Sequence, residues 1–99
     1  MVYRVEVFVQ GHGWISLDKV VSGFLEALDV GASIVINDYL KNPDNHGSKA
    51  GDVVGFRIVE TNAQPTPISD QSIKWSEVSH RFFKRGNAYF LYKTWSWPD

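Results

Sequence analysis

One stretch, residues 76–87, decides the fold of this chain, and it reads SEVSHRFFKRGN. Its apolar residues Val78 and Phe82 lie four positions apart, which is the spacing of one face of a helix. Gly86 follows them, and glycine commonly ends a helix because it accepts the left-handed backbone conformation. The stretch therefore predicts a helix over residues 76–85.

A second pattern overlaps the first. The alternation of Ile73 and Trp75 with polar residues is typical of a strand, and Gly86-Asn87 has the composition of a two-residue hairpin turn. A hairpin within residues 68–86 is therefore the alternative to the helix. The choice matters because a helix here completes a two-helix fold, whereas a hairpin leaves the chain with one helix.

The flanking elements follow simpler patterns. Alternating apolar residues predict a strand over residues 2–9. Helical spacing predicts a helix over residues 17–28, with Ser16 as its N-cap and Gly31 as its stop signal. Apolar runs predict three further strands, over residues 33–37, 53–60 and 88–96.

Together these elements predict an α+β fold of the ferredoxin-like plan. Its elements would follow in the order βαββαβ, and two helices would cover one face of an antiparallel sheet. The alternative is a one-helix α+β sheet with a C-terminal hairpin. Because the chain has 99 residues and a mass of 11.2 kDa, we expect a single domain over residues 1–99.

Composition excludes several classes of function. The formal net charge is −1, which is unlike a polycation that coats nucleic acid. The chain has no cysteine, so disulfides, thiolate zinc sites and a cysteine nucleophile are excluded. No apolar run reaches the roughly 20 residues of a membrane-spanning helix, and the N-terminus lacks the pattern of a secretory signal. We therefore expect a cytoplasmic protein without a membrane partner.

The predicted strands carry large apolar residues on both faces, although two helices can cover only one. Phe8 lies opposite the other apolar residues of its strand, and Val54, Phe56 and Ile58 are predicted to share a face. A sheet face that is apolar without a helix over it usually marks an interface. The sequence therefore predicts a non-enzymatic binding module, most simply a homodimer. The predicted contact residues are Phe8, Arg57, Tyr92, Trp95 and Trp97.

Single-stranded nucleic acid is an alternative partner. Residues 74–99 hold five basic and two acidic side chains, together with eight of the fourteen aromatic residues. The sequences VFVQG at residues 7–11 and GFRIV at residues 55–59 resemble the first-strand and third-strand motifs of RNA-recognition domains. The resemblance implies that Phe8 and Phe56 stack on bases across an open sheet face. Nearby basic side chains would then bind the phosphates.

A small enzyme with a site at a subunit interface is the third possibility. It would use His12 or His80 as a general base, beside Asp38 or Asp44. No two histidines have the spacing of a metal site, so neither a metal nor a cofactor is expected. All three histidines, His46 included, are instead expected to lie in solvent. A binding module therefore ranks above an enzyme, and its partner could also be another protein or a small molecule.

Overall fold

A computed structural model describes residues 1–66 and 72–92 of the chain. These residues form five strands, β1 (Val2–Val9), β2 (Gly13–Val21), β3 (Val53–Thr61), β4 (Phe82–Arg85) and β5 (Ala88–Leu91). Helix α1 (Phe24–Lys41) lies between β2 and β3, and the short helix α2 (Trp75–Val78) lies between β3 and β4. Neighbouring strands are antiparallel, in the order β2-β1-β3-β5-β4. The protein is therefore an α+β fold with a five-stranded antiparallel sheet and two helices.

The order of elements is ββαβαββ, which differs from the predicted βαββαβ order of the ferredoxin-like plan. The predicted helix over residues 17–28 is wrong in its first part, because β2 pairs with β1 there. The register of this pair shifts between Arg4 and Glu6, where β2 carries extra residues. Leu17 and Val21 both pack on the side of the sheet that carries α1. Residues four positions apart share a face in a strand as well as in a helix, so this spacing alone does not distinguish the two structures.

The predicted strand over residues 33–37 is also wrong, since these residues lie in the middle of α1. Val35 and Ile36 belong with Leu28 to the apolar stripe that α1 turns toward the sheet. Gly31, predicted as a stop signal, is a buried residue within the same helix. The β-branched run resembles a strand because this part of α1 is buried over most of its surface.

Residues 76–87 combine the two predicted structures. Helix α2 continues into a 3-10 turn at Ser79–Arg81, and strand β4 begins directly after it. The favoured helix over residues 76–85 is therefore wrong in its second half. Phe82 and Phe83 explain the change, because they pack on opposite faces of the sheet, as successive strand residues do.

The hairpin turn of the alternative prediction is confirmed. Arg85 pairs with Ala88 across Gly86-Asn87, and Gly86 has a φ of +64°, which glycine accepts without steric cost. The predicted strand over residues 88–96 is confirmed for β5, and its last four residues lie outside the described part of the chain. The sheet therefore ends in a hairpin rather than in a helix and a single strand.

Both described helices pack on one face of the sheet, as predicted. Strands β1 and β3 turn Val5, Val7 and Phe56 toward α1, and these side chains are buried. The backbone N–H of Trp75 donates to Oδ1 of Asp29 over 2.7 Å, which fixes the start of α2 to α1. The ring of Trp75 then packs on Phe56. The core thus lies between the sheet and α1, with one ring contributed by α2.

Helix α1 lies close to β3 at Gly31. A Cβ atom added at this position would lie 2.2 Å from Cδ2 of Phe56. Phe56 is fully buried, and the rings of Trp75, Phe82 and Tyr89 surround it. Because Phe56 cannot move aside, the missing side chain at residue 31 sets the distance between the helix and the sheet.

We expect Gly31→Ala to lower the free energy of unfolding by about 1–3 kcal/mol. Overpacking against Phe56 should outweigh the roughly 1 kcal/mol that alanine gains over glycine inside a helix. Urea denaturation followed by circular dichroism measures the change. Leu40→Ala is the control on the same helix, because Leu40 is exposed and its replacement should cost about 0.5 kcal/mol or less. A Gly31→Ala chain as stable as the parent would contradict the close approach.

Candidate binding surface

The face of the sheet opposite the helices carries one continuous row of residues. Strand pairing aligns Trp14 with Phe8, Phe8 with Gly55, Gly55 with Phe90, and Phe90 with Phe83. These five residues, called here the aromatic row, come one from each strand in the order of the sheet. Four of the five are aromatic, and the central strand contributes the glycine.

The rings of the aromatic row touch one another across the strands. The centroid of Phe8 lies 5.3 Å from that of Trp14 and 5.8 Å from that of Phe90, in edge-to-face arrangements. Phe83 lies 5.9 Å from Phe90 on the outer side. Such distances are those of favourable aromatic pairs. The row is therefore one packed cluster rather than four separate rings.

Gly55 makes this cluster possible. A Cβ atom at residue 55 would lie 2.4 Å from Cδ1 of Phe90, so the ring of Phe90 occupies the space above the glycine. Phe8 and Phe90 can thus meet across the central strand. A larger residue would separate the two halves of the row.

A bulge at the start of β3 places an aliphatic side chain beneath the aromatic cluster. The register of β1 and β3 shifts between Phe8 and Val9, so Val54 is an extra residue on β3. Val54 packs with Ala88 and Phe90 and is fully buried. The prediction that Val54 shares a face with Phe56 and Ile58 is therefore wrong, because a bulge reverses the alternation at this point.

An ion pair lies beside the aromatic row. The Nε atom of Arg57 donates to Oε1 of Glu6 over 2.7 Å, and the two residues face each other on β3 and β1. The guanidinium carbon of Arg57 lies 4.2 Å from the centroid of the Trp14 ring. The positive charge of Arg57 thus interacts with the carboxylate of Glu6 and with the indole of Trp14. These two contacts fix the position of the guanidinium group on this face.

Three of the five predicted contact residues meet on this face. Phe8 lies in the row, Arg57 lies beside it, and Tyr92 follows β5 with its ring 5.0 Å from that of Phe83. Tyr92 is about half exposed, at 52%. Trp95 and Trp97 lie outside the described residues, so their predicted contacts stay predictions.

Three members of the row, Trp14, Phe83 and Phe90, are not among the predicted contact residues. Phe83 lies two residues before the end of β4, and Phe90 lies two residues after the start of β5. A correct prediction of the hairpin would therefore have paired them. Placing Trp14 required the pairing of β2 with β1, and the helix predicted over residues 17–28 covered most of β2.

The resemblance to RNA-recognition domains placed Phe8 and Phe56 on one open face, but the two rings lie on opposite faces. Phe56 is fully buried under α1, where it stacks on Tyr89 with centroids 5.2 Å apart. A base cannot reach it. The implied pair of stacking rings is therefore absent from the described sheet.

The three histidines differ in their surroundings. His12 and His80 are exposed, as expected, but His46 is buried with only 2% of its surface accessible. The Nε2 atom of His46 lies 3.1 Å from Oδ2 of Asp38, and the Tyr39 ring contacts the imidazole edge-on. The prediction of a solvated His46 is wrong, because the imidazole fills the gap between α1 and the loop that follows it.

This histidine fastens the loop over residues 42–52. Asp38 accepts from both His46 and the backbone N–H of Val53, and Asp52 accepts from the backbone N–H groups of Gly47 and Lys49. Because Asp38 is an acceptor, Nε2 of His46 carries the proton in this contact. A ring sealed from solvent cannot meet a substrate, so the pair acts in the structure rather than in catalysis.

Comparisons with protein-family models, with curated proteins and with solved structures each gave no match to this chain. Neither α1 nor α2 has the length and apolar composition needed to cross a membrane. Residues 1–66 and 72–92 contain no group of three or more histidine, aspartate or glutamate side chains that could hold a metal ion.

We expect His46→Ala to lower the free energy of unfolding by about 2–4 kcal/mol. The substitution opens a cavity and leaves Asp38 without one of its two donors. Urea denaturation measures the loss, with His12→Ala and His80→Ala as matched controls that should each cost about 0.5 kcal/mol or less. Equal stability of all three variants would show that His46 does not fasten the loop.

Proposed function

We propose that this domain is a non-enzymatic binding module that pairs with a second copy of itself through the aromatic face. The observation that carries the proposal is the aromatic row, which crosses all five strands on the side away from both described helices. The proposed contact residues are Phe8, Arg57 and Tyr92, with Trp95 and Trp97 of the C-terminal segment as further anchors.

The chemistry of the face suits a protein partner. Aromatic side chains bury about 150–250 Å² each and are enriched, with arginine, among the residues that dominate binding energy at interfaces. Tyr92 is half exposed at the rim, where its ring can add contact area and its hydroxyl can keep a polar partner. A rim residue of this kind favours reversible association.

The ion pair of Arg57 and Glu6 favours a second copy over an unrelated protein. A two-fold axis brings the same patch of both copies together, so the patch has to be complementary to itself. Adjacent opposite charges meet this condition, because Arg57 of each copy can face Glu6 of the other. A face of one charge sign would repel its own copy.

Two observations weigh against single-stranded nucleic acid as the partner. Stacking on a base needs an accessible ring face, but Phe90 is only 5% exposed and the guanidinium of Arg57 lies over Trp14.

The enzyme alternative is disfavoured because His12 and His80 are exposed and His46 is sealed from solvent. A cytoplasmic location stays a prediction of the sequence.

We expect the chain to reach a mass of 22.4 kDa at high concentration, twice the 11.2 kDa of one chain. Sedimentation equilibrium over a concentration range measures the dissociation constant. Tyr92→Ala should raise this constant by about 5–30-fold, the effect of losing about 1–2 kcal/mol at an interface. Phe8→Glu should abolish pairing, because a charge cannot be buried between two apolar faces.

Leu40→Ala serves as the control, since Leu40 is exposed on α1, on the other side of the molecule. Circular dichroism checks that Tyr92→Ala and Phe8→Glu remain folded. An 11.2 kDa mass at every concentration would refute pairing. If such a monomer also bound a single-stranded oligonucleotide, with an affinity that falls steeply with salt, nucleic-acid binding would replace self-association as the proposed function.

A further inference from the structure

We infer that the outer edge of β4 binds an extended, acidic segment of another protein, which adds to the sheet as a further strand. The pairing proposed above uses a face of the sheet, whereas this inference uses its edge and does not depend on that pairing. Three observations support it, namely the position of β4 in the sheet, the direction of its backbone groups and its charge.

Strand β4 lies at one end of the sheet. Its neighbour is β5, and within residues 1–66 and 72–92 no strand pairs with its other side. The edge at β2 differs, because the N–H of Thr66 donates there to the carbonyl oxygen of Val20 over 2.8 Å. An edge strand presents backbone donors and acceptors to which an extended chain can add. Within the described sheet, the outer side of β4 is therefore the edge at which a strand can add.

The hydrogen bonds around β4 show which of its backbone groups point outward. The carbonyl oxygen of Arg81 accepts from the N–H of Tyr92 over 2.8 Å, so Arg81 turns its backbone toward β5. Phe82 does the opposite, since its N–H donates to the carbonyl oxygen of Ser79. Backbone groups alternate in direction along an antiparallel strand, so the N–H and the carbonyl group of Lys84 also point away from β5. An added strand can exchange two hydrogen bonds with Lys84.

The side chains at this edge are basic. Lys84 is exposed, and its Nζ atom lies 5.8 Å from the centroid of the Tyr89 ring, on the face that carries the helices. The guanidinium of Arg81 lies 4.9 Å from the centroid of the Tyr39 ring and adds a second positive charge. An acidic residue opposite Lys84 on an added strand would therefore form a favourable cross-strand pair.

The charge of the whole chain follows the same division. Residues 72–92, which contain β4, hold four basic side chains and one acidic side chain. Residues 1–66 hold five basic and eight acidic side chains, although the net charge of the whole chain is only −1. The positive charge is thus concentrated in the part of the chain that forms this edge, which favours a negatively charged partner.

The same charge disfavours a second copy at this edge. Two β4 strands paired about a two-fold axis at Lys84 would place the two lysines directly opposite each other, and like charges in that position are destabilising. Lysine on an edge strand commonly prevents such pairing. An axis at Phe82 is disfavoured as well, because the N–H of Phe82 is already bonded to Ser79. The edge therefore selects an extended partner of opposite charge.

NMR titration of the isotope-labelled full chain with a synthetic peptide tests the inference. The probe is an acetylated and amidated octapeptide of alternating valine and glutamate, which is acidic and favours an extended backbone. We expect it to shift the amide resonances of β4 and, at saturation, to slow hydrogen exchange of the Lys84 N–H about tenfold or more. The matched peptide of alternating valine and lysine should not bind.

Methylation of the peptide backbone separates strand addition from simple attraction between charges. Successive residues of an extended chain direct their N–H groups to opposite edges. N-methylation of the glutamates removes the donors directed at Lys84 and should abolish binding. N-methylation of the valines should leave the dissociation constant nearly unchanged. Both methylated peptides carry the same charge, so only hydrogen bonding to the edge can distinguish them.

Two variants of the protein test the role of the charge. Lys84→Glu should raise the dissociation constant about 5–30-fold, because it replaces an attractive cross-strand pair by a repulsive one. Lys49→Glu is the matched control, since it makes the same change in net charge at an exposed position in the loop after α1. It should change the dissociation constant about twofold or less. Circular dichroism checks that both variants remain folded.

Several results would overturn the inference. Slow exchange of the Lys84 N–H in the free chain would show that the edge is already paired. Equal effects of the two methylations, or of Lys84→Glu and Lys49→Glu, would show an attraction between charges without strand addition. Binding of single-stranded oligothymidylate with the same dependence on Lys84 would show a general site for anions. A chain that does not bind the acidic peptide would refute the inference directly.

Discussion

The structure depends on the packing of two neighbouring residues in the central strand. Phe56 points to one side of the sheet and fills the space that Gly31 leaves open in α1. Gly55 points to the other side and leaves open the space that Phe90 fills. In β3, a residue with a large side chain therefore follows a glycine. Phe56 packs against a glycine of α1, and Gly55 packs against a phenylalanine of β5. The first contact sets the distance of the helix from the sheet, and the second makes the aromatic row continuous.

The loop over residues 42–52 supports this arrangement from one end of the strand. Asp38 receives the N–H of Val53 and the imidazole of His46, which fixes the first residue of β3 relative to α1. The bulge at Val54 follows directly, and it turns that side chain beneath Phe90. The buried His46 thus contributes to the aromatic row without lying in it, because it sets where the alternation of β3 begins.

The sequence predicts those elements whose pattern is visible within a single segment. Alternation in residues 2–9 predicts β1. Gly86-Asn87 predicts the hairpin turn only in the alternative interpretation, because the favoured prediction made Gly86 the end of a helix. Sequence patterns fail where pairing between segments decides the outcome. The four-residue spacing of Leu17 and Val21 fits one face of a strand as well as one face of a helix, and burial of the middle of α1 gives residues 33–37 the composition of a strand. Phe8, Arg57 and Tyr92 could be named from their own strands. The aromatic row could not, because it is a property of the register of five strands.

The strand order also has a consequence for how the protein is made. Strands β1 and β2 are neighbours in the chain and in the sheet, so they can pair, and bring Trp14 and Phe8 together, as soon as both are synthesised. Their neighbours across the central strand, Phe90 and Phe83, come from the last hairpin. During synthesis one half of the row is therefore exposed for as long as most of the chain takes to appear. Nascent chains with an open apolar strand pair are prone to aggregate, so the final hairpin acts as the step that ends this exposure.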